Sequence, residues 1–349
     1  MSEFFTRMGD GSGEMMSLED IRYDIEDGTA DAGERGEIPE LTEEEIDHLV
    51  EILTMPQKNV SVERGREGIM TFDAGTLKLP VRAGVPVDRL QTLMLHERVL
   101  CSDTMELCTT DYSYKSIKNF IAEEAMTMEL AQNNCVMPIF YGAMPNLGQY
   151  TKPDGPIDNW SELLPLGRID EARAAQEEAV EHSVRDMVFI TGQMAEAGAC
   201  GIQFDTVGAS GDADVLAALL AAKELKAKFP NIGIEFGMAG EFNLGMHGQL
   251  EFEGQRIAGL YPHHQVKMAE KAGVDIFGCV VNTNSSLSFA WNLARALTFT
   301  KACVAAAEIP VVVDAGMGVG GVPLTNTSPT DATSRASKAL LEIGGADGL

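Results

Sequence analysis

The sequence predicts an α/β fold of the (β/α)8 TIM-type barrel class, with an N-terminal helical and hairpin extension and with its C-terminal strands missing. Apolar, strand-like runs alternate with helical stretches through the second half of the 349-residue chain. Strands that alternate with helices in this way form right-handed βαβ units and therefore a parallel sheet. The later strands begin roughly every 30 to 45 residues, which is the repeat length of the βα units in a barrel of about 250 residues.

The predicted extension covers residues 1–133, and the incomplete barrel covers residues 134–349. Two short apolar runs within residues 69–79 flank Asp-Ala-Gly, which indicates a hairpin. Residues 87–133 have a mostly helical pattern. We expect both segments to pack on the barrel.

Residues 1–60 are acidic and helix-patterned, and the clearest helix begins after Thr42. Thr42 and Glu45 have the spacing of a capping box, and Ile46 begins an apolar stripe at helical intervals. His48 falls on the polar side of this helix, so we expect a solvated histidine.

Five apolar runs are the predicted strands of the barrel: Cys135–Tyr141, Gly201–Asp205, Ile232–Gly237, Asp275–Val281 and Ile309–Asp314. Helical stretches such as 213–228 and 292–307 separate most of them. A doubly wound open sheet is the competing fold. The absence of a G-x-G-x-x-G motif after the first strand and the even pace of the units favour the barrel.

Three helices end on glycine that leads into an apolar run, at Gly198, at Gly273 and at the pair Gly344-Gly345. Glycine at such a place supplies the left-handed turn that ends a helix. After the first two glycines a strand follows, but after the third the sequence stops at Leu349. We therefore expect a truncated product in which the last strand is only begun.

The strongly acidic composition excludes several classes of partner. The chain has 53 acidic and 26 basic residues and a formal net charge of −27, which repels nucleic acids and anionic lipid surfaces. No apolar stretch approaches the roughly 18 residues of a membrane span, and the N-terminus lacks a secretory pattern. The six cysteines show no metal-type spacing, as expected of reduced thiols in a cytoplasmic protein. A homo-oligomer is compatible with this composition.

Each predicted strand is followed by a polar side chain, where barrels carry their working residues. These candidates are Tyr141, Asp205, Glu241, Asn282, Asn284 and Asp314. The set combines carboxylates and amides without a cationic residue, so it suits a small cation or an amine and suits a phosphate poorly. Capping of the following helices is the alternative role for Asp205 and Asp314.

A glycine-rich loop, with Gly316, Gly318 and Gly320, follows the fifth strand. It lacks the Lys-Ser/Thr of a P-loop, so we interpret it as a segment that lets a ligand or a docked partner approach the backbone. His263 and His264 open a helix instead of presenting two ligands one turn apart, and with His247 they give no metal site.

Several motifs together closely resemble the dimethylamine:corrinoid methyltransferases of methylotrophic methanogenic archaea, and the resemblance extends over essentially the whole chain. The motifs are Tyr-Gly-Ala-Met-Pro-Asn at 141–146, Gly-Met-Ala-Gly-Glu at 237–241, Leu-Gly-Met-His-Gly at 244–248, Val-Val-Asn-Thr-Asn at 280–284, Trp-Asn-Leu-Ala-Arg-Ala at 291–296 and Gly-Met-Gly-Val-Gly-Gly at 316–321. The segments 7–11 and 36–39 fit the resemblance as well.

The resemblance implies a barrel whose cavity holds pyrrolysine, encoded by an in-frame amber codon that follows Asp-Gly-Ile. Here Asp347-Gly348-Leu349 ends the sequence at the matching place, so pyrrolysine is expected immediately after Leu349. The implied reaction moves a methyl group from dimethylamine to the Co(I) corrinoid of a separate corrinoid protein, giving methylamine, in methanogenesis from methylamines. The corrinoid (cobalamin) belongs to that partner, and the truncated chain alone is expected to be inactive.

From strand-end placement we assign Glu241, Asp205 and Asp314 to protonation of the amine or imine. Tyr141 and the two asparagines would orient the substrate. Two alternatives stay open: a non-catalytic docking or regulatory subunit for the corrinoid protein, and a barrel enzyme acting on another small amine without pyrrolysine. In the second alternative Glu241 would be the general acid or base.

Overall fold

A computed structural model describes residues 3–63, 66, 140–143, 145–198, 201–208, 211–238, 240–243, 245, 248–325 and 328–349. The strands are β1 (Glu3–Arg7), β2 (Gly13–Ser17), β3 (Phe140–Ala143), β4 (Gly201–Val207), β5 (Gly233–Met238), β6 (Glu251–Phe252), β7 (Gln255–Arg256), β8 (Ile276–Cys279) and β9 (Val311–Val313). The helices are α1 (Leu18–Gly36), α2 (Glu43–Thr54), α3 (Trp160–Leu163), α4 (Ile169–Glu196), α5 (Asp212–Lys228), α6 (Pro262–Ala272), α7 (Phe289–Ala306) and α8 (Thr330–Glu342).

The chain divides into two compact units. Unit 1 consists of Met1–Ile69, Tyr261–Lys267 and Phe277–Leu349, and unit 2 consists of Met70–Leu260 and Met268–Ile276. Each unit contains parallel strands joined by helical connections, so the predicted mixed α/β fold with a parallel sheet is confirmed. None of the described helices combines the length and the apolar character that a membrane span requires.

Unit 2 is built on the parallel strands β3, β4 and β5, in that order. The helix α4 connects the first pair and α5 connects the second, as in right-handed βαβ units. Ile202 and Phe204 of β4 lie beside Ile234 and Phe236 of β5, and all four side chains are almost completely buried. This face of the sheet forms the apolar core that binds the helices.

Unit 1 contains the parallel pair β8 and β9, in which Phe277 lies beside Val311. The end of the chain continues this sheet, because Gly348 forms a parallel bridge with Val312 and accepts a hydrogen bond of 3.1 Å from the Val313 N–H. At the chain end, where the start of a further strand was predicted, the described structure has this single bridge.

The predicted left-handed glycines are present at all three helix ends, with φ angles of 106° at Gly198, 88° at Gly273 and 71° at Gly345. Two of these junctions also share a hydrogen-bond pattern. The Asp275 N–H donates to Ile234 O at 2.8 Å, and the Asp275 carboxylate accepts from Ile234 N–H at 2.7 Å. Asp347 makes the same pair of bonds with Val311, at 2.9 and 2.8 Å.

The N-terminus differs from the expected helical pattern, because β1 and β2 form an antiparallel hairpin in which Phe5 pairs with Met15. Its turn contains Asp10, whose Oδ1 accepts from the Ser12 N–H at 2.9 Å, and Gly11 in the left-handed region with φ 89°. These two turn residues outweigh the acidic composition that suggested a helix. The segments predicted as a hairpin at 69–79 and as mostly helical at 87–133 lie outside the described residues.

The helix α2 begins with the predicted capping box, in which Thr42 and Glu45 bond each other's backbone N–H groups. The solvation expected for His48 is only partial: 31% of its side chain is exposed, and its Nε2 lies 2.9 Å from Oε2 of Glu342, whose side chain is fully buried. Glu342 Oε1 also accepts from Lys338 Nζ at 2.7 Å. This buried cluster ties α2 to α8, the helix that leads into the last strand.

The helices α1 and α7 are joined by a repeated polar contact. Trp291 Nε1 donates to Asp27 at 2.8 Å, and Arg295 Nε donates to Asp31 at 2.7 Å. One turn earlier, the Ser288 hydroxyl donates to Asp24. The three pairs share a constant sequence separation of 264 residues, so the two helices run parallel and in fixed register.

Replacing Gly28 by alanine is expected to destabilise unit 1, because the new Cβ would lie 2.3 Å from the main-chain oxygen of Trp291. We expect a loss of about 1–3 kcal/mol in the free energy of unfolding, measured by urea denaturation. Gly192→Ala in α4 is the matched control. Its Cβ would meet only the Phe229 ring at 3.4 Å, so it should be neutral or stabilising. Equal behaviour of the two variants would contradict the close packing of α1 on α7.

The Asp31 carboxylate should contribute a stability that depends on pH. Burial raises its pKa, but Arg35 and Arg295 outweigh this effect, and the net result is a pKa below the usual value. The stability is therefore present above the unfolded-state pKa of about 3.9 and is lost as pH falls through the lower folded-state value. Asp31→Asn should lower the free energy of unfolding by about 1–3 kcal/mol at pH 7. The difference from wild type should shrink below about pH 4; a difference independent of pH would contradict this role.

Candidate active site

The segments that follow β8 and β9 in unit 1 are bound together at the carboxyl ends of these strands. Asn282 forms an antiparallel bridge with Val319, and the Thr283 N–H donates to Gly318 O at 2.8 Å. Thr283 Oγ1 also donates to Val322 O at 2.9 Å. The segment with the predicted asparagines and the glycine-rich loop thus form one hydrogen-bonded surface.

Asn292, near the start of α7, holds the segment after β8. Its Oδ1 accepts from the Asn284 N–H at 2.7 Å, and its Nδ2 donates to Asn284 O at 2.9 Å. The Asn284 side chain itself accepts from the N–H and hydroxyl of Ser286, at 3.0 and 2.7 Å. The Asn284 carboxamide therefore closes a local turn, and both predicted asparagines are exposed.

The glycine-rich loop after β9 needs its glycines for internal packing. A Cβ at Gly320 would lie 2.4 Å from Asp314 O, and one at Gly318 would lie 2.6 Å from the Leu324 side chain. Both glycines have positive φ angles, of 65° and 89°. A Cβ at Gly316 would meet only Ser328 Oγ, at 3.4 Å. The loop's own fold thus accounts for two of the three predicted glycines, and the role of the loop toward a partner stays a prediction.

Asp314 follows β9 directly and is exposed. It lies next to the ladder that β9 forms with the end of the chain, where Val312 pairs with Gly348. In this register, Leu349 lies beside Val313, and a residue that continued the strand would lie beside Asp314 at the carboxyl end of β9.

In unit 2, the carboxyl end of β4 has an irregular register. Phe204 pairs with Phe236 and Val207 with Met238, so β4 contains one extra residue within Asp205–Thr206. Bulges of this kind re-aim side chains and occur next to active sites. Asp205 therefore lies at the bulge, and Tyr141 lies within β3; the side chains of both are outside the described part of the structure.

Two polar residues that the sequence reasoning did not select lie on the second face of this sheet. Gln203 and Glu235 are partners in the register of β4 and β5, and Gln203 Nε2 donates to Glu235 Oε1 at 3.4 Å. Glu235 is buried although it is ionisable. The signal that could have identified them is a polar residue at the same position of two consecutive apolar strands.

Glu241 follows β5 by three residues and is only 7% exposed. Asn243, just beyond it, is held by backbone bonds to Leu260 and Gly259 at 3.1 and 2.8 Å. Its Nδ2 also donates to Ile257 O at 3.3 Å. A buried carboxylate in a firmly held segment can neutralise a desolvated ammonium group.

The histidines near α6 give no support to a metal centre. Burial lowers the pKa of His263 to about 4, so this imidazole is neutral at pH 7. Its ring centroid lies 4.0 Å from that of His264, while His247 lies outside the described residues. Within the described residues, no group of three or more His, Cys, Asp or Glu side chains is arranged to hold a metal ion.

Two solved structures show distant similarity to the chain. Inosine 5′-monophosphate dehydrogenase from Legionella pneumophila aligns at 13% identity and a TM-score of 0.35, covering 75% of this chain and 54% of that chain. A proposed phosphonomutase from Burkholderia cenocepacia J2315 aligns at 14% identity and a TM-score of 0.32, covering 70% and 76%. The chain thus spans about half the length of the dehydrogenase. Neither similarity informs the site.

A sequence model of a known family matches almost the entire chain. The family is described as dimethylamine methyltransferase (Dimeth_PyL), and the match covers residues 2–349. It therefore includes all the segments that carry the candidate residues in both units. The chain belongs to the dimethylamine methyltransferase family.

Proposed function

We propose that the protein, in its full-length form, transfers a methyl group from dimethylamine to the Co(I) corrinoid of a cognate corrinoid protein, in methanogenesis from methylamines. The observation that carries this proposal is the family match over residues 2–349. The strand-end carboxylates support it, because a secondary amine is a cation at neutral pH and needs a negative partner when it leaves water.

Glu241 is the described residue best suited to bind the amine. Its carboxylate is buried, so its attraction to an ammonium group is weakly screened. It lies at the carboxyl-end side of β5, where parallel α/β sheets bind their ligands. In this role it holds the substrate cation and keeps the proton on nitrogen. Asp205 is proposed to assist from the end of β4, the neighbouring strand in the same unit, and Asp314 from the end of β9. Tyr141 and Asn282 are proposed to orient the amine.

The proposed reaction is balanced without a further reactant. The C–N bond of dimethylammonium breaks, and the methyl carbon takes the electron pair of Co(I) to form the C–Co bond. The electrons of the broken C–N bond stay on nitrogen, which leaves as neutral methylamine. An amine is a poor leaving group, so the proton that Glu241 holds on nitrogen and the alignment of the reactants are the main contributions of the protein.

The end of the described chain fits the proposed pyrrolysine. A residue continuing from Leu349 in the observed register would lie beside Asp314, at the carboxyl end of β9. Pyrrolysine there would supply an electrophilic imine, to which dimethylamine would add through its nitrogen lone pair after passing one proton to the imine nitrogen. Asp314 is exposed, and its carboxylate is proposed to stabilise positive charge on the captured nitrogen.

Glu241→Gln tests the substrate-binding role, because it keeps the shape of the side chain and removes its charge. In full-length protein with the reduced corrinoid protein, kcat/KM for dimethylamine should fall at least about 100-fold. Glu251→Gln, which alters an exposed carboxylate on β6, is the control and should retain wild-type turnover. If Glu241→Gln also retained wild-type turnover, Glu241 would not bind the amine.

The proposed pyrrolysine gives a second test at the gene and the protein. We expect an in-frame UAG codon after the codon for Leu349. We also expect that the native protein yields a peptide that spans this position. Tandem mass spectrometry of that peptide should give the mass of pyrrolysine. A sense codon at this place, or a native protein ending at Leu349, would contradict the proposal.

A further inference from the structure

Asp212 is the first residue of α5 and, like Asp214 in the same helix turn, is a completely buried carboxylate. Its exposure is 0%, although aspartate is rarely buried without a specific partner. It follows the bulged end of β4 by five residues. Its place in the chain suggests a helix-capping acid, but its contacts are made with a different segment.

The partner of Asp212 is the segment that follows β5. The Gly248 N–H donates to Asp212 Oδ2 at 3.1 Å. Gly245 passes so close that a Cβ there would lie 2.7 Å from the same oxygen. The backbone reaches the carboxylate because residue 245 has no side chain.

This same segment carries Glu241. Asn243 of this segment is also bonded to Gly259 and Leu260. The chain after Glu241 is thus held first by Asn243 and then by the Asp212 carboxylate, while β5 holds the chain before it. Removing one of these attachments leaves Glu241 on a segment with more freedom of movement.

We infer that Asp212 is a positioning residue, which holds Gly248 and thereby helps to keep the Glu241 carboxylate in place for the substrate amine. This inference rests on the proposed function for the role of Glu241. The attachment itself does not depend on that function. A misplaced catalytic group lowers turnover even when the fold is intact, so the effect of Asp212 should appear in kcat.

Asp212→Ala and Asp212→Asn separate positioning from charge, because the carboxamide oxygen of the asparagine variant can still accept the Gly248 N–H. In the full-length protein, amide exchange at Gly248 should be at least about tenfold faster in Asp212→Ala and near wild type in Asp212→Asn. With the reduced corrinoid protein, kcat for dimethylamine should fall at least about tenfold in the alanine variant and be largely restored in the asparagine variant.

Asp170→Ala is the matched control, because Asp170 is an exposed aspartate in the first turn of α4. Like Asp212→Ala, this substitution removes the favourable interaction of a carboxylate with a helix N-terminus. Unlike Asp212→Ala, it removes no contact with another segment. It should leave both Gly248 exchange and kcat unchanged. If Asp212→Ala fails to fold, Gly245→Ala replaces it: its Cβ displaces the segment, so Gly248 exchange should again rise and kcat fall.

Two results would overturn the inference. One is wild-type exchange at Gly248 in Asp212→Ala. The other is an Asp212→Asn variant that protects Gly248 but has as little turnover as Asp212→Ala, because Asp212 would then act through its charge. If the wild-type protein shows no turnover of dimethylamine, the proposed function fails, and the exchange at Gly248 still decides whether Asp212 holds the segment.

Discussion

The packing of α1 on α7 is the constraint on which the rest of unit 1 depends. Gly28 lets the two backbones approach until the position of its absent Cβ lies 2.3 Å from Trp291 O. The carboxylates of Asp27 and Asp31 then bind the Trp291 indole and the Arg295 guanidinium. Because α7 begins immediately after the segment that follows β8, fixing α7 also fixes that segment through Asn292. The packing of α1 on α7 thereby fixes the segment at the carboxyl end of β8.

The local features of this fold were predictable because short stretches of sequence determine them. The capping box at Thr42 and Glu45 needs only residues of one helix turn, and the left-handed turns at Gly273 and Gly345 follow from glycine at a helix end. The parallel strands were predictable from apolar runs separated by helices. The N-terminal hairpin was missed because acidic composition was given more weight than the Asp-Gly turn.

Features that depend on distant parts of the chain were not predictable. His48 was expected in solvent because its partner Glu342 is 294 residues away. Asp212 showed no signal beyond a place at a helix start, because its contacts are with two glycines of another segment. Gln203 and Glu235 matter through strand register, which the sequence pattern does not define to one residue. The strand ends stay a prediction as the region of the site, while the contacts made by the residues there required the structure.

We propose that carboxylates at strand ends carry the chemistry. One of them, Glu241, is buried, and the backbone of Asn243 close to it is firmly attached. Such a group binds a cation strongly because little water screens it. The measurement that tests this account most directly uses dimethylamine with carbon-13 in its methyl groups, the full-length protein and the reduced corrinoid protein. We predict that the label appears in equal amounts on cobalt and in methylamine. Labelled dimethylamine that stays intact in the presence of a competent corrinoid partner would contradict the account.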